Sequence, residues 1–193
     1  MLKISKAFKS KKALLVSILF ISILFLINNS TTMMRMAYPV KYKETVELYS
    51  KKYGVDPNLV YAIIKAESNF STNAVSKKQA VGLMQITRTT GAWGARTLKL
   101  DNYSYDSLFN PETNIMIGCW YLSTLMGEFD NDIQLVLTAY NAGSGNVNQW
   151  LEDKRYSGDG GSLTDIPFGE THKYVKKVNE YYGVYKKLYG LKN

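Results

Sequence analysis

The sequence predicts an all-α domain that follows an apolar N-terminal helix. After Lys41, apolar residues recur at three- and four-residue spacing along most of the longer segments, as they do on one face of a helix. The helix-start signals Asp56–Pro57 and Asn110–Pro111 stand at the beginning of two of these segments. No segment alternates apolar and polar residues as a half-buried strand does. We therefore expect six or seven helices and at most a small β turn near residues 82–87.

Composition limits the classes of protein to which the chain can belong. Its 193 residues suffice for one ordinary domain with additional segments, and 46% of them are hydrophobic. The net charge is +8, but residues 1–30 hold five lysines and no acid, so the remainder carries only +3. With no binding motif, this mild charge argues against nucleic acid as a partner. Cys119 and His172 are the only cysteine and histidine. We therefore expect no disulfide, no metal site and no cofactor.

The N-terminal region has the pattern of an export signal. Residues 1–12 are basic, and Ala13–Ile27 are almost wholly apolar. The uncharged stretch continues to residue 34, and at about 1.5 Å per residue it can cross a bilayer core of roughly 30 Å. Because no A-x-A cleavage site follows, we expect residues 1–34 to be an uncleaved signal anchor that crosses the membrane through residues 13–34. Its lysines would then lie in the cytoplasm and the remainder of the chain outside. The alternative is a cleaved signal peptide.

A short connector, residues 35–40, leads to the predicted domain, residues 41–193. An amphipathic helix begins the domain and ends at Gly54. The next helix spans Asp56–Phe70 and carries one acid, Glu67, on its apolar face. An acid among apolar neighbours has a raised pKa, which is what a general acid needs.

Glu67 also has a structural interpretation. It could mark a partly exposed helix end, or it could pair with Lys65 or Lys77. The motifs further along the chain decide between these interpretations.

Several elements follow this helix. Residues 71–90 read as a loop around the motif AVGLMQIT, where Gly82 permits a positive φ. If the loop folds back on the preceding helix, Met84 and Gln85 project beside Glu67. We expect residues 91–109, which are aromatic and contain two glycines, to be an irregular flap along a groove.

The second half of the domain is predicted to be helical. A buried helix begins at Asn110, and another is capped by Asp132 and ends in AYNAG. A short helix through Trp150 and a Gly-rich loop, residues 153–169, precede the last helix, which runs from Glu170 to about residue 189.

Four motifs in this order, AESNF, GLMQ, AYNAG and IPFGETHKYV, resemble the catalytic domain of the soluble lytic transglycosylases. NIMIGCWYLSTLM, between the second and third motifs, is similar to that family's central helix. The resemblance covers Lys41–Tyr189 and implies a goose-type lysozyme-like fold that cleaves bacterial peptidoglycan. Two features depart from the family pattern. ITRTTGAWGA lacks the usual proline-containing turn, and Ser144 follows AYNAG where proline is frequent. Both departures concern loop shape and subsite preference.

The resemblance also implies the roles of particular residues. Glu67 corresponds to the single catalytic acid, and the hydroxyl of Tyr140 is expected near its carboxyl group. Glu170 is expected to help hold the site. The residues implied to bind the glycan are Ser68, Gly82, Met84, Gln85, Tyr140, Asn141, Glu170 and Tyr174.

The implied reaction uses one carboxyl group twice. Ordinary glycosidases use two, but the first three motifs contain no second acid. The resemblance implies that Glu67 acts as acid and then as base, and that the muramic 6-hydroxyl closes a 1,6-anhydro ring. The enzyme would act on glycan strands at the membrane, or in the cell wall if the signal is cleaved.

Two alternatives remain at the level of sequence. One is a hydrolytic muramidase on the same fold, with Asp101 or Asp106 as the second carboxylate. The other is a membrane-tethered glycan-binding protein without activity. A plain helical interaction protein would explain none of the four motifs.

Overall fold

The computed structural model describes the backbone of residues 2–192 and the side chains of residues 14–25 and 30–192. This part of the chain forms eight α-helices and a 3-10 helix, without a β-sheet. Two isolated bridges, Val75 to Val81 and Val81 to Ile86, are its β structure. The all-α prediction is therefore confirmed, as is the small β turn. The chain divides into two compact units, Met1–Pro39 and Val40–Asn193.

The first unit is one helix, α1, spanning Leu2–Ala37. Its large apolar side chains between Leu14 and Phe25 are exposed, many of them by more than half. Among the described residues, the segment Leu14–Ala37 is long and apolar enough to cross a membrane. A signal sequence near an N-terminus meets the same criterion. The side chains of the five N-terminal lysines lie outside the described residues.

The second unit contains the other seven α-helices, in agreement with the six or seven expected. They are α2 (Lys43–Tyr53), α3 (Pro57–Ser68), α4 (Arg88–Thr97), α5 (Pro111–Glu128), α6 (Ile133–Ala142), α7 (Ser144–Glu152) and α8 (Gly169–Leu188). The 3-10 helix, Tyr105–Phe109, precedes α5. Side chains cap three of the helices as the sequence predicts. Asp56, Asn110 and Asp132 accept hydrogen bonds from backbone N–H groups in the first turns of α3, α5 and α6.

Helix α3 is the central element of this unit. Every residue from Pro57 to Ile64 is buried, and α3 packs against both α2 and α8. The ring of Tyr61 stacks on that of Tyr185 from α8, with ring centroids 5.5 Å apart. Asn58 pairs through its side-chain amide with the backbone N–H and carbonyl of Leu191. These contacts fix the start and middle of α3, so the side chains of its last turn are held in place.

The prediction of an irregular flap at residues 91–109 is wrong. Residues 88–97 form α4, which begins with a hydrogen bond from the Thr90 N–H to the Thr87 hydroxyl. Gly91 and Gly94 are buried rather than helix-breaking. A Cβ at position 94 would lie 2.9 Å from Cγ2 of Ile117 on α5. Gly94 therefore permits a close approach of α4 to α5, and this packing outweighs the low helix propensity of glycine.

Candidate active site

Glu67 lies in the last turn of α3 and lines a cavity of about 360 Å³. Other residues that line this cavity are Lys77, Lys78, Gln85, Tyr140, Asn141 and Glu170. A second cavity of about 310 Å³ shares Lys78, Gln85, Thr87, Tyr140 and Asn141 with the first. The two cavities are therefore adjacent and form one groove.

Another cavity, of about 520 Å³, lies between α7 and the loop that follows it. Its two acids, Glu152 and Asp159, are exposed, and hydrogen bonds from the N–H groups of Gly161 and Ser162 lower the pKa of Asp159. An exposed carboxylate of low pKa holds a turn and cannot donate a proton near neutral pH. The Glu67 groove is accordingly the better candidate.

The environment of Glu67 favours its protonated form. Burial raises the pKa of Glu67 to about 7, although the Tyr174 hydroxyl and the positive charge of Lys177 lower it. Lys65, one proposed ion-pair partner, donates instead to the side chain of Asn69 over 3.2 Å. The expectation of a raised pKa therefore agrees with the structure.

The GLMQ loop is held against α5 by Asn114, a fully buried residue. The side-chain oxygen of Asn114 accepts from the Met84 N–H over 2.8 Å, and its amide donates to the carbonyls of Val81 and Leu108. Gly82 has φ +78°, and a Cβ there would lie 2.2 Å from the Asn114 amide nitrogen. Glycine is thus required at position 82, and its role is to shape the loop.

Met84 and Gln85 differ in what they present to the groove. Gln85 lines it, and its amide donates to the carbonyls of Ala74 and Gly82. The Met84 side chain, which we expected beside Glu67, is fully buried against Gly118. Only its carbonyl group serves the site, as the acceptor of a 2.8 Å hydrogen bond from the Tyr140 hydroxyl. Substrate contact by Met84 remains a prediction from sequence, and the burial of its side chain argues for an indirect role.

Ser68 joins the GLMQ loop to α3. Its hydroxyl lies 2.8 Å from the Leu83 carbonyl and 3.1 Å from that of Ile64. This position next to the acid fixes the loop relative to Glu67.

Tyr140 and Asn141 bring the end of α6 to the groove. Burial, and secondarily the negative charge of Glu67, raise the pKa of Tyr140 well above its ordinary value. The Tyr140 hydroxyl therefore stays protonated and donates a hydrogen bond to the Met84 carbonyl. The ring of Tyr140 packs on that of Tyr121. Asn141 lines both cavities.

Helix α8 contributes Glu170, Tyr174 and Lys177, whose spacing of four and three residues puts them on one face. Glu170 lines the cavity and is exposed. The buried Tyr174 hydroxyl interacts with the Glu67 carboxyl but has no fully formed hydrogen bond within the described residues. The ammonium group of Lys177 donates to the Ala66 carbonyl over 2.8 Å.

The sequence alone did not indicate a role for two of these residues, Asn114 and Lys177. Asn114 could have been noticed as an amide on the apolar face of α5. Lys177 follows Tyr174 by three residues, so helical spacing alone assigns it to the same face.

The sequence offered Asp101 and Asp106 as a second carboxylate. Both are exposed, and neither lines the Glu67 cavity. Glu170 does line it, so this residue is the better-placed second acid among those described.

These features define a lysozyme-like helical domain in which a buried helix ends at an acid of raised pKa within a groove. The model of the transglycosylase SLT domain matches residues 44–160, more than half of the chain. The chain belongs to this family.

Curated relatives include two classes of lytic enzyme. The soluble lytic murein transglycosylase of Salmonella typhimurium is 32% identical over 157 residues, which are 80% of this chain and 24% of the relative. The membrane-bound lytic murein transglycosylase C of Edwardsiella ictaluri is 33% identical over 181 residues, 77% of this chain and 47% of the relative. The chain thus spans about a quarter to a half of these relatives' length.

Solved structures show the same fold. The 70 kDa soluble lytic transglycosylase of Escherichia coli superimposes with a TM-score of 0.73 at 32% identity, covering 81% of this chain and 26% of the other. An inactive glutamate-to-glutamine mutant of the lytic transglycosylase Slt of Pseudomonas aeruginosa gives a TM-score of 0.70 at 31% identity, covering 80% and 25%.

Proposed function

We propose that the protein is a peptidoglycan lytic transglycosylase in which Glu67 is the single catalytic carboxyl group. The observation that carries this proposal is the partly buried Glu67, which lines a groove and has a pKa of about 7. The names of the relatives, and the inactive glutamate-to-glutamine mutant among the solved structures, support it.

In the first step, protonated Glu67 donates its proton to the glycosidic oxygen between N-acetylmuramic acid and N-acetylglucosamine. The bond from the muramic C1 to that oxygen breaks, and N-acetylglucosamine leaves with the proton. The oxocarbenium-like centre at C1 is assisted by the N-acetyl group of the substrate.

In the second step, the Glu67 carboxylate accepts the proton of the muramic 6-hydroxyl group. The freed oxygen bonds to C1 and closes a 1,6-anhydro ring, so no water is consumed and Glu67 regains its proton. A pKa of about 7 suits both steps, because neither proton transfer is then strongly uphill near neutral pH.

The other candidate site residues divide into two groups. Gln85, Asn141 and Glu170 line the groove and are proposed to contact the glycan. Ser68, Gly82, Met84, Tyr140 and Tyr174 are proposed to hold the geometry of the site, since they are buried or bonded within the protein.

A hydrolytic muramidase is the second candidate, because Glu170 lines the same cavity as Glu67. In that reaction a second carboxylate activates a water molecule, and the product is a reducing sugar.

The site assignment can be tested with Glu67→Gln in the full chain, purified in detergent and incubated with peptidoglycan sacculi. We expect the variant to sediment with sacculi as wild type does but to release no soluble fragments. Glu180→Gln is the matched control, because Glu180 is an exposed acid on α8, and it should release fragments normally. Fragment release by Glu67→Gln at the wild-type rate would refute the role of Glu67.

A further inference from the structure

Lys177 lies on α8 and Glu67 on α3, and these two helices pack against each other. Helix α8 packs along α3, and Tyr174 and Lys177 lie one turn apart on the face of α8 that contacts the last turn of α3. The Lys177 ammonium group is partly buried and donates to the carbonyl of Ala66, the residue before Glu67. The lysine is therefore held in place, with its charge beside the acid.

The end of a helix needs such a partner. The last four carbonyl groups of a helix lack intrahelical donors, and they give the C-terminus a partial negative charge. In α3, the Asn69 N–H satisfies the carbonyl of Lys65, and Lys177 satisfies that of Ala66. A cation at this end offsets a negative potential that otherwise opposes ionisation of Glu67.

Other groups that face Glu67 differ from Lys177 in position or charge. Tyr174 from α8 and Tyr140 from α6 are buried hydroxyl groups that keep their protons. Lys77 and Lys78, in the loop between α3 and α4, and Glu170 on α8 are exposed and line the open side of the cavity. Exposed charges are screened by water, so the charge of Lys177 acts more strongly on Glu67.

We propose that Lys177 is a positioning residue of this site, which fastens the last turn of α3 and stabilises the carboxylate form of Glu67. Given the proposed function, that form is the base of the second step. Lys177 thus helps Glu67 to donate its proton to the leaving group and then, as a carboxylate, to accept the proton of the muramic 6-hydroxyl group. Without the ammonium charge, Glu67 is a weaker acid.

The test compares Lys177→Gln, which keeps an N–H donor for Ala66 but loses the charge, with Lys177→Arg, which keeps the charge. Lys176→Gln removes the same charge from an exposed neighbouring position on α8. Each full-length protein is labelled with ¹³C-glutamate and studied in detergent micelles. NMR then follows the chemical shift of the Glu67 carboxyl carbon as the pH is changed. The signal that Glu67→Gln lacks identifies it.

We expect Lys177→Gln to raise the pKa of Glu67 by about one pH unit, while Lys177→Arg and Lys176→Gln leave it near the wild-type value. The alkaline limb of kcat/KM against pH should move upward by the same amount, because the free enzyme needs protonated Glu67. An unchanged Glu67 titration in Lys177→Gln would overturn the proposal, even if activity fell at every pH, since that pattern indicates a structural role alone.

This experiment is independent of the reaction type. Hydrolysed products from the wild-type protein would contradict the transglycosylase, but the titration would still report the coupling of Lys177 to Glu67.

Discussion

At the residue scale, the raised pKa of Glu67 links the stability of the domain to pH. The group binds its proton more tightly in the folded protein, where its pKa is about 7, than in the unfolded chain, where the ordinary value is 4.5. The protonated form therefore stabilises the fold fully below pH 4.5, and this contribution is lost as the pH rises towards 7. Above that pH, the folded domain holds a carboxylate in a poorly solvated place.

Glu67→Gln should consequently stabilise the folded protein at pH 8 and have little effect at pH 4. A neutral amide removes the cost of the buried charge, so we expect a gain of about 1–3 kcal/mol in the free energy of unfolding at pH 8. Urea denaturation of the two proteins at both pH values measures the difference. Glu180→Gln, an exposed change of the same type, should show no gain. An equal effect of Glu67→Gln at pH 4 and pH 8 would contradict the burial of the charge.

At the scale of single elements, the GLMQ loop depends on residues from distant parts of the chain. The Asn114 side chain of α5 accepts a hydrogen bond from the Met84 N–H. The hydroxyl groups of Tyr140 on α6 and Ser68 on α3 donate to the carbonyls of Met84 and Leu83, respectively. The loop thus joins three helices at the point where Gln85 enters the groove. Its shape should therefore affect both stability and activity.

Gly82→Ala tests this dependence. The alanine Cβ would lie 2.2 Å from the Asn114 side chain and 2.5 Å from the Leu108 carbonyl, in addition to the strain of φ +78°. We expect a loss of about 2–4 kcal/mol in the free energy of unfolding and a fall in glycan cleavage. Gly54→Ala is the control, because Gly54 also has a positive φ (+66°) but has no atoms within 4 Å of an added Cβ.

The control should lose only about 1 kcal/mol, the cost of the backbone conformation itself. Urea denaturation measures both changes. Equal destabilisation by the two substitutions would show that the close approach at Gly82 does not contribute to the free energy of unfolding.

The elements that were predicted correctly are those whose signals are local. Asp56, Asn110 and Asp132 cap their helices through backbone groups two or three residues away, so short sequence windows contain the information. The raised pKa of Glu67 could be expected from the sequence because its apolar neighbours belong to the same helix.

The features that were missed depend on partners far along the chain. The buried glycines of α4 are explained by later parts of the chain, since a Cβ at Gly91 would meet Tyr103 and Leu108 and one at Gly94 would meet Ile117 and Trp120 of α5. Asn114 binds a carbonyl 33 residues away, and Lys177 binds one 111 residues away. A propensity argument treats a glycine as a helix breaker and a lysine as a surface charge, because it does not include tertiary packing.

At the scale of the whole molecule, the chain combines an apolar helix with a helical unit that contains the transglycosylase SLT domain. The exposed apolar side chains of α1 favour insertion into a membrane, and one relative is named as membrane-bound. We propose that Leu14–Ala37 anchors the protein and that the unit from Val40 onward lies outside the cytoplasm.

Intact mass spectrometry of the protein extracted from washed membranes tests the uncleaved anchor. We expect the full mass of 21.9 kDa. A shorter protein that has lost its first 30 or so residues, recovered from the medium, would instead indicate a cleaved signal peptide.

The mass of the released muropeptides tests the central claim most directly. The full-length protein in detergent is incubated with purified sacculi, and the soluble products are analysed by mass spectrometry before and after borohydride reduction. We predict products lighter by one water than hydrolysed muropeptides and resistant to reduction, since the 1,6-anhydro ring leaves no reducing end. Reducible products of full mass would contradict the transglycosylase and would favour a muramidase in which Glu170 assists Glu67.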